Sequence, residues 1–302
     1  MEMNLTGFLI SAGCGALLCI LWFFLALKQR TGTPKAAAVS GTALVLCTVL
    51  GVFLARLVWV LCMIQYRYPL FVLNYDEMSF YGGVAGVILG VFLSAKINGL
   101  NGREILNIFA PMGALLAGVI RFAEYFLGEF GVGAWMEEGL FFPLTVGFGD
   151  SEYMDFYQAV FMLEGLFAVI AMILALVHKD EKYRWVRTLF YLCLPQLICE
   201  SLRLNSIAWR FVRSEQLFCF LLCEGVLVWY ALKAEHKGFS AWVPAICGLL
   251  VCGLIIVAEF AKDGKIMINE QMISQWIIYG CVAAGLALIA VMEHRGYRRI
   301  NS

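Results

Sequence analysis

Residues 41–64 read GTALVLCTVLGVFLARLVWVLCMI, twenty-four residues in which Arg56 is the lone charge. A helix rises about 1.5 Å per residue, so about 20 apolar residues cross a hydrocarbon layer about 30 Å thick. The stretch therefore predicts a membrane-spanning helix. Its arginine needs a partner, a water-filled cavity or a route to the interface, because burying it costs roughly 2.5–3.5 kcal/mol on insertion scales. Working outward in both directions, similar stretches lie near 7–27, 80–98, 106–127, 157–177, 188–203, 216–232, 241–261 and 275–292, which makes nine candidate spans. The start, Met1 to Ile10, has no basic region and reads as a retained helix rather than a cleaved signal peptide. The expected fold class is all-α, a polytopic membrane helix bundle.

Composition agrees with this solvent. The chain is 62% hydrophobic and 15% charged, with a mean hydropathy of +0.83, far from an ordinary soluble domain. Formal net charge is zero, so nothing draws the whole molecule to nucleic acid, and the expected partner is membrane lipid. Eleven cysteines all fall inside apolar stretches and no pair has C-x-x-C spacing, so they read as small hydrophobes. His178, His236 and His294 lie singly at segment ends, and no metal site is expected.

Orientation follows from lysine and arginine in the connections. With the N-terminus outside, fourteen of these residues fall inside, among them Lys28, Arg30, Lys179, Arg184 and Arg298, against six outside. Nine spans then leave the C-terminus inside. The longest connection, about 128–156, contains six acidic residues and no basic one, interleaved with Phe, Trp and Gly. It is expected outside, folded over a site. Glycines 82, 83, 86 and 90 predict close helix contact in preference to a backbone–ligand role.

Ionisable residues in apolar segments mark function or structural pairing. Arg56 and Arg121 are such arginines, while Glu124, Glu200 and Glu224 interrupt apolar runs. Glu124 follows Arg121 by one helical turn, and an ion pair explains the two as well as catalysis does. Arg203, Arg210 and Arg213 form a basic cluster on the outer side, against the charge bias. Guanidinium forks match phosphate oxygens, so a headgroup site built on Arg121 and Arg203 is one explanation; pairing with the acidic connection 128–156 is the other. Candidate bases on the outer side are Tyr81, Glu124, Glu129 and Glu200, and burial and neighbouring arginines pull carboxylates in opposite directions, which leaves the choice open.

At these residues the chain resembles the prolipoprotein diacylglyceryl transferase family. Ala55-Arg56-Leu57-Val58-Trp59-Val60-Leu61 is similar to the family's G-R-L-G-Y-V-L, and Met78-Ser79-Phe80-Tyr81-Gly82-Gly83 to its M-S-F-H-G-G. Ala110-Pro111 follows, and then the stretch Arg121 to Glu129 resembles R-x-x-N-F-x-N-G-E. Further on, Leu163-Glu164-Gly165 resembles L-E-G, Glu200-Ser201-Leu202-Arg203 resembles E-x-x-R, and Gln216 matches the G-Q before the last family helix. The ordered matches span about residues 40–233. Tyr81 stands where the family has histidine, Glu124 and Leu127 where it has asparagine, and Gln196 where it has arginine.

The resemblance implies a seven-helix transferase-like core over residues 1–240 and a two-helix C-terminal extension over 241–302, in a bacterial plasma membrane. It implies transfer of diacylglyceryl from phosphatidylglycerol to the cysteine thiol of a prolipoprotein signal peptide, with no metal or organic cofactor. In that reading Arg121 and Arg203 hold phosphate, Glu129 and Glu200 orient them, Arg56, Gly82 and Gly83 contribute to substrate binding, and Tyr81 or Glu124 assists deprotonation of the thiol. The alternative is a catalytically inactive lipid-binding or partner-binding protein of the same fold.

Overall fold

The computed structural model describes residues 4–72, 77–137, 139, 144–149, 154–178, 182–204, 206, 208–209, 212–234, 238–262, 267–268, 271–272 and 274–301. Among them are nine α-helices: α1 Leu5–Thr31, α2 Thr33–Cys62, α3 Phe80–Ile97, α4 Gly102–Ala123, α5 Val160–Val177, α6 Arg184–Leu202, α7 Ser214–Lys233, α8 Phe239–Lys262 and α9 Gln275–Asn301. Each matches one sequence-predicted span. Eight are long and apolar enough to cross a membrane, and the chain is a multi-pass membrane protein. The exception is α6, expected to span from its apolar stretch 188–203. Arg184, Arg187, Gln196 and Glu200 lie within the observed helix and dilute its hydropathy.

The chain divides into two compact units. The first comprises residues 1–192 and 202–215 and the second residues 193–201 and 216–302. In the first unit, α1 and α2 are joined through the single residue Gly32, whose φ of 81° lies in the left-handed region that favours glycine. Glycines set the distance between α2 and α3. A Cβ added at Gly82 would lie 2.6 Å from the Leu54 carbonyl oxygen, and one at Gly90 would lie 2.8 Å from the Cys47 nitrogen. The backbones touch where side chains would hold them apart, and in lipid such van der Waals contact drives helix association. Away from this seam, Phe23, Leu27, Val39, Val91, Ile105 and Phe109 form a buried cluster, with Phe23 and Phe109 edge to face at 5.2 Å.

Buried polar groups fix the helix ends. Ser79 caps α3, its hydroxyl accepting from Gly82 N at 3.1 Å. Asn107 Oδ1 accepts from Trp185 N at 3.0 Å and its Nδ2 donates to Lys182 O at 3.1 Å, which anchors the start of α6 on α4. Beyond α4 the chain tightens into a 3₁₀ turn over Glu124–Gly131, kinked at Gly128 (φ 67°). Asn4 N donates to Phe126 O at 2.8 Å, tying the start of α1 to this turn.

The described residues of the long acidic connection include a small sheet, while 138, 140–143 and 150–153 lie outside the described residues. Strands β1 Trp135–Met136, β2 Thr145–Gly149 and β3 Met154–Gln158 form an antiparallel sheet in the order β1-β3-β2. Val132, Val146, Phe148, Ala159 and Phe161 form its small core. The connection from α6 to α7 carries a second pair, β4 Ala208–Trp209 and β5 Val212–Arg213.

In the second unit, several polar side chains inside apolar helices satisfy one another, as a low-dielectric surrounding demands, while Glu224 Oε2 is buried without a hydrogen-bond partner among the described residues. Gln216 Nε2 donates to Leu197 O at 2.8 Å and to Ser201 Oγ at 3.0 Å, while Ser201 also donates to Glu259. Tyr230 donates to Glu293 Oε1 at 3.0 Å. The last strands, β6 Met267–Ile268 and β7 Gln271–Met272, form a hairpin between α8 and α9.

Candidate functional site

Arg121 lies in the last turn of α4, 2% exposed, at the end of the first unit where α3 and α5 begin. Its guanidinium is enclosed by carboxylates. Nη1 donates to Glu124 Oε1 at 2.7 Å, Nε lies 3.2 Å from Glu164 Oε2, and Nη2 lies 3.9 Å from Glu215 Oε2 without a hydrogen-bond partner. The Phe80 ring covers its face, 3.7 Å from ring centroid to guanidinium carbon.

Arg203 follows the end of α6 and is held by a backbone bridge to Gly133. Its Nη2 reaches Glu124 Oε2 and Glu164 Oε2, both at 2.5 Å, and its Nε reaches Glu164 Oε1 at 3.1 Å. Glu124 and Glu164 thus each bridge both arginines. Glu215, at the first turn of α7, accepts from Ser79 Oγ at 2.8 Å and Phe80 N at 2.7 Å at the start of α3. Arg213 Nη1 donates to Arg203 O at 3.0 Å and to Ser206 Oγ at 2.6 Å.

The cluster borders an apolar cavity of about 640 Å³ within the first unit. Residues of α1, α2, α3, α4 and α6 line it, with Phe80 and Glu124 in contact with the arginines; among the described lining residues Glu124 alone carries a charge. A cavity of this size is in the usual range for a small apolar ligand, and a polar group at one end fixes orientation.

The structure brings Arg121, Arg203 and Glu124 together. Among the described residues, the arginines' ion pairs run to Glu124, Glu164 and Glu215; of the acidic connection that the sequence offered as the alternative partner, Glu138, Asp150, Glu152 and the side chain of Glu129 lie outside the described residues. Arg210 lies outside the described residues, as does the side chain of Glu129. Tyr81 is buried, and its hydroxyl donates to Leu192 O at 3.0 Å. Gly82 lies against the α2 backbone, as the expectation of helix contact requires, whereas Gly83 faces the cavity.

Arg56 has partners of its own. Its Nη1 donates to Glu77 Oε2 at 2.5 Å and its Nη2 to Pro69 O at 2.8 Å, with the guanidinium carbon 4.9 Å from the Trp59 ring centroid. These bonds clamp the α2–α3 connection and solve the cost of an arginine in residues 41–64 locally. Glu200 belongs to the second unit, where it accepts from Gln196 Nε2 at 3.1 Å. Among the described residues no group of three or more His, Cys, Asp or Glu converges to hold a metal.

Two residues of the site were missed by sequence reasoning. Glu164 gave a usable signal, a carboxylate inside the apolar run 157–177. Glu215 gave none, since a polar residue at the start of a helix is ordinary.

A sequence model of the prolipoprotein diacylglyceryl transferase family matches residues 2–232 of the 302. No curated protein and no solved structure shows a match.

Proposed function

The chain belongs to the prolipoprotein diacylglyceryl transferase family, and from that premise we propose that it moves diacylglyceryl from phosphatidylglycerol to the cysteine thiol of a prolipoprotein signal peptide. The observation that carries this reading is the apolar cavity of about 640 Å³ bordered by the Arg121–Arg203 cluster. Acyl chains occupy the cavity and the two guanidiniums take the phosphate. The thiol gives its proton to the Glu124 carboxylate, with Tyr81 able only to assist as a hydrogen-bond donor, sulfur attacks the glycerol carbon, and the carbon–oxygen bond breaks with its electron pair going to the departing glycerol phosphate. The arginines stabilise the charge that develops on that phosphate. Glu164 and Glu215 hold Arg121 in place, with Glu129, Arg56, Gly82 and Gly83 as the outer supports that the family motifs suggest. In this reading the protein lies in a bacterial plasma membrane with its N-terminus outside and C-terminus inside, and 241–302 is an extension of the core.

A second reading, a lipid-binding or partner-binding protein of the same fold without catalysis, is favoured by the Tyr81 hydroxyl, which is engaged by Leu192 O where the family motif has histidine. Purified protein in phosphatidylglycerol vesicles, given a signal-peptide substrate with one cysteine, separates the two. Transfer is expected to add diacylglyceryl in thioether linkage to that cysteine, read by mass spectrometry, and growth of a strain depleted of its own transferase is the matching result in cells. Lipid binding without either result would establish the second reading.

A further inference from the structure

The Glu124 carboxylate spans the two guanidiniums, one oxygen on Arg121 Nη1 at 2.7 Å and the other on Arg203 Nη2 at 2.5 Å. Two anionic oxygens on one central atom are also what a phosphodiester offers to a pair of arginines. We propose that Glu124 is a tethered occupant of the phosphate seat and the residue that sets headgroup specificity: its carboxylate leaves the arginines when an anionic headgroup is held. This rests on the transferase reading above.

Charge requires an exchange. Among the described residues, Glu124, Glu164 and Glu215 already pair with Arg121 and Arg203, three carboxylates to two guanidiniums, with Arg213 bonded to the backbone behind Arg203. A phosphate added to all three would place four anions around the pair in a low-dielectric site.

Local structure decides which carboxylate leaves. Glu164 is in the body of α5 with its side chain 3% exposed, and it binds Arg203 through both oxygens. Glu215 is bound by Ser79 Oγ and Phe80 N. Glu124 stands at the junction between α4 and the 3₁₀ turn that kinks at Gly128, its side chain is 13% exposed, and it lines the cavity. It is the carboxylate that can turn toward the cavity without unwinding a helix. A phosphodiester headgroup therefore competes with Glu124, whereas a lipid without phosphate, such as diacylglycerol, does not.

The test uses the full chain in neutral detergent, titrated with phosphatidylglycerol and with diacylglycerol of the same acyl chains. Glu124→Gln keeps the side chain's size and removes the competing charge. It is expected to tighten phosphatidylglycerol binding about tenfold, the scale of one charge-assisted hydrogen bond, and to leave diacylglycerol binding unchanged. Glu124→Asp, which keeps the charge, is expected to bind as the parent does. Phosphatidylglycerol affinity in Glu124→Gln equal to or weaker than the parent's, at a matched thermal midpoint, would overturn the proposal.

Should the variant fail to fold, the parent itself gives the answer. A hydrophobic carbodiimide is expected to label Glu124 more with phosphatidylglycerol present than with diacylglycerol of the same chains, read by peptide mass spectrometry, and equal labelling counts against the exchange. Arg121→Ala and Arg203→Ala distinguish the two levels. If they weaken phosphatidylglycerol binding while Glu124→Gln does not strengthen it, only the role of Glu124 is lost. If neither class of variant changes binding, the phosphate site itself is lost.

Discussion

Arg121 and Arg203 are expected to contribute to phosphatidylglycerol affinity in a way that Arg30 and Arg298, exposed near helix ends, do not. Losing a charge-assisted hydrogen bond to a partly buried phosphate costs about 1.5–3 kcal/mol, so Arg121→Ala and Arg203→Ala should each weaken binding by roughly tenfold or more. Arg30→Ala and Arg298→Ala should bind as the parent does in the same titration. Arg121→Lys should recover part of the loss, because an ammonium keeps the charge and forfeits the fork. The arginines were legible in the sequence for a thermodynamic reason: a guanidinium in or beside an apolar run is costly unless something answers it. The identity of the answering groups was not legible. Glu164 lies 43 positions and Glu215 lies 94 positions beyond Arg121 in the chain, and only tertiary folding brings either to it.

At the scale of the element, the seam between α2 and α3 makes a sharp prediction. A Cβ at Gly86 would run into the Leu50 carbonyl and the Gly51 backbone, which have no rotamer through which to yield. Gly86→Ala should destabilise by about 1–3 kcal/mol, the usual cost of overpacking, and lower the thermal midpoint in detergent. Gly41→Ala is the control, since nothing lies within 4 Å of its added Cβ; it should hold or slightly raise the midpoint, because alanine gains up to about 1 kcal/mol in helix propensity. Repetition of small residues every fourth position announced this contact in the sequence, since that spacing puts them on one helix face. Helix ends were less legible. The basic stretch 28–40 reads as a cytoplasmic loop, yet helix continues on both sides of Gly32, because lysine, arginine and alanine are good helix formers even when they lie outside the apolar run.

For the whole molecule, the family match ends at residue 232, before α8 and α9. We expect a chain lacking 241–302 to insert and persist in the membrane. The costly carboxylates Glu259 and Glu293 leave with the deleted segment, and Ser201 and Tyr230 lose the hydrogen bonds they donate to them. Inter-helix hydrogen bonds in bilayers are worth about 0.6 kcal/mol on average, too little to unfold a bundle. Pulse–chase turnover and protease resistance of the truncated chain are the measurements; degradation at the rate of a misfolded control would make the last helices part of the core. The overall architecture was legible because bilayer thickness imposes helix length and number directly on hydrophobicity. The small sheet of β1 to β3 was not, since strands of two to five residues carry too little periodicity to read.

The link at Gly32 has a consequence for biogenesis. A ribosome delivers helices one after another, and a multi-residue loop lets the first settle in the bilayer while the second is still being made. Here one residue separates α1 from α2, so the start of the second helix is held at the end of the first. The two must leave the translocation machinery as a pre-formed hairpin, and a lengthened linker would turn one insertion event into two.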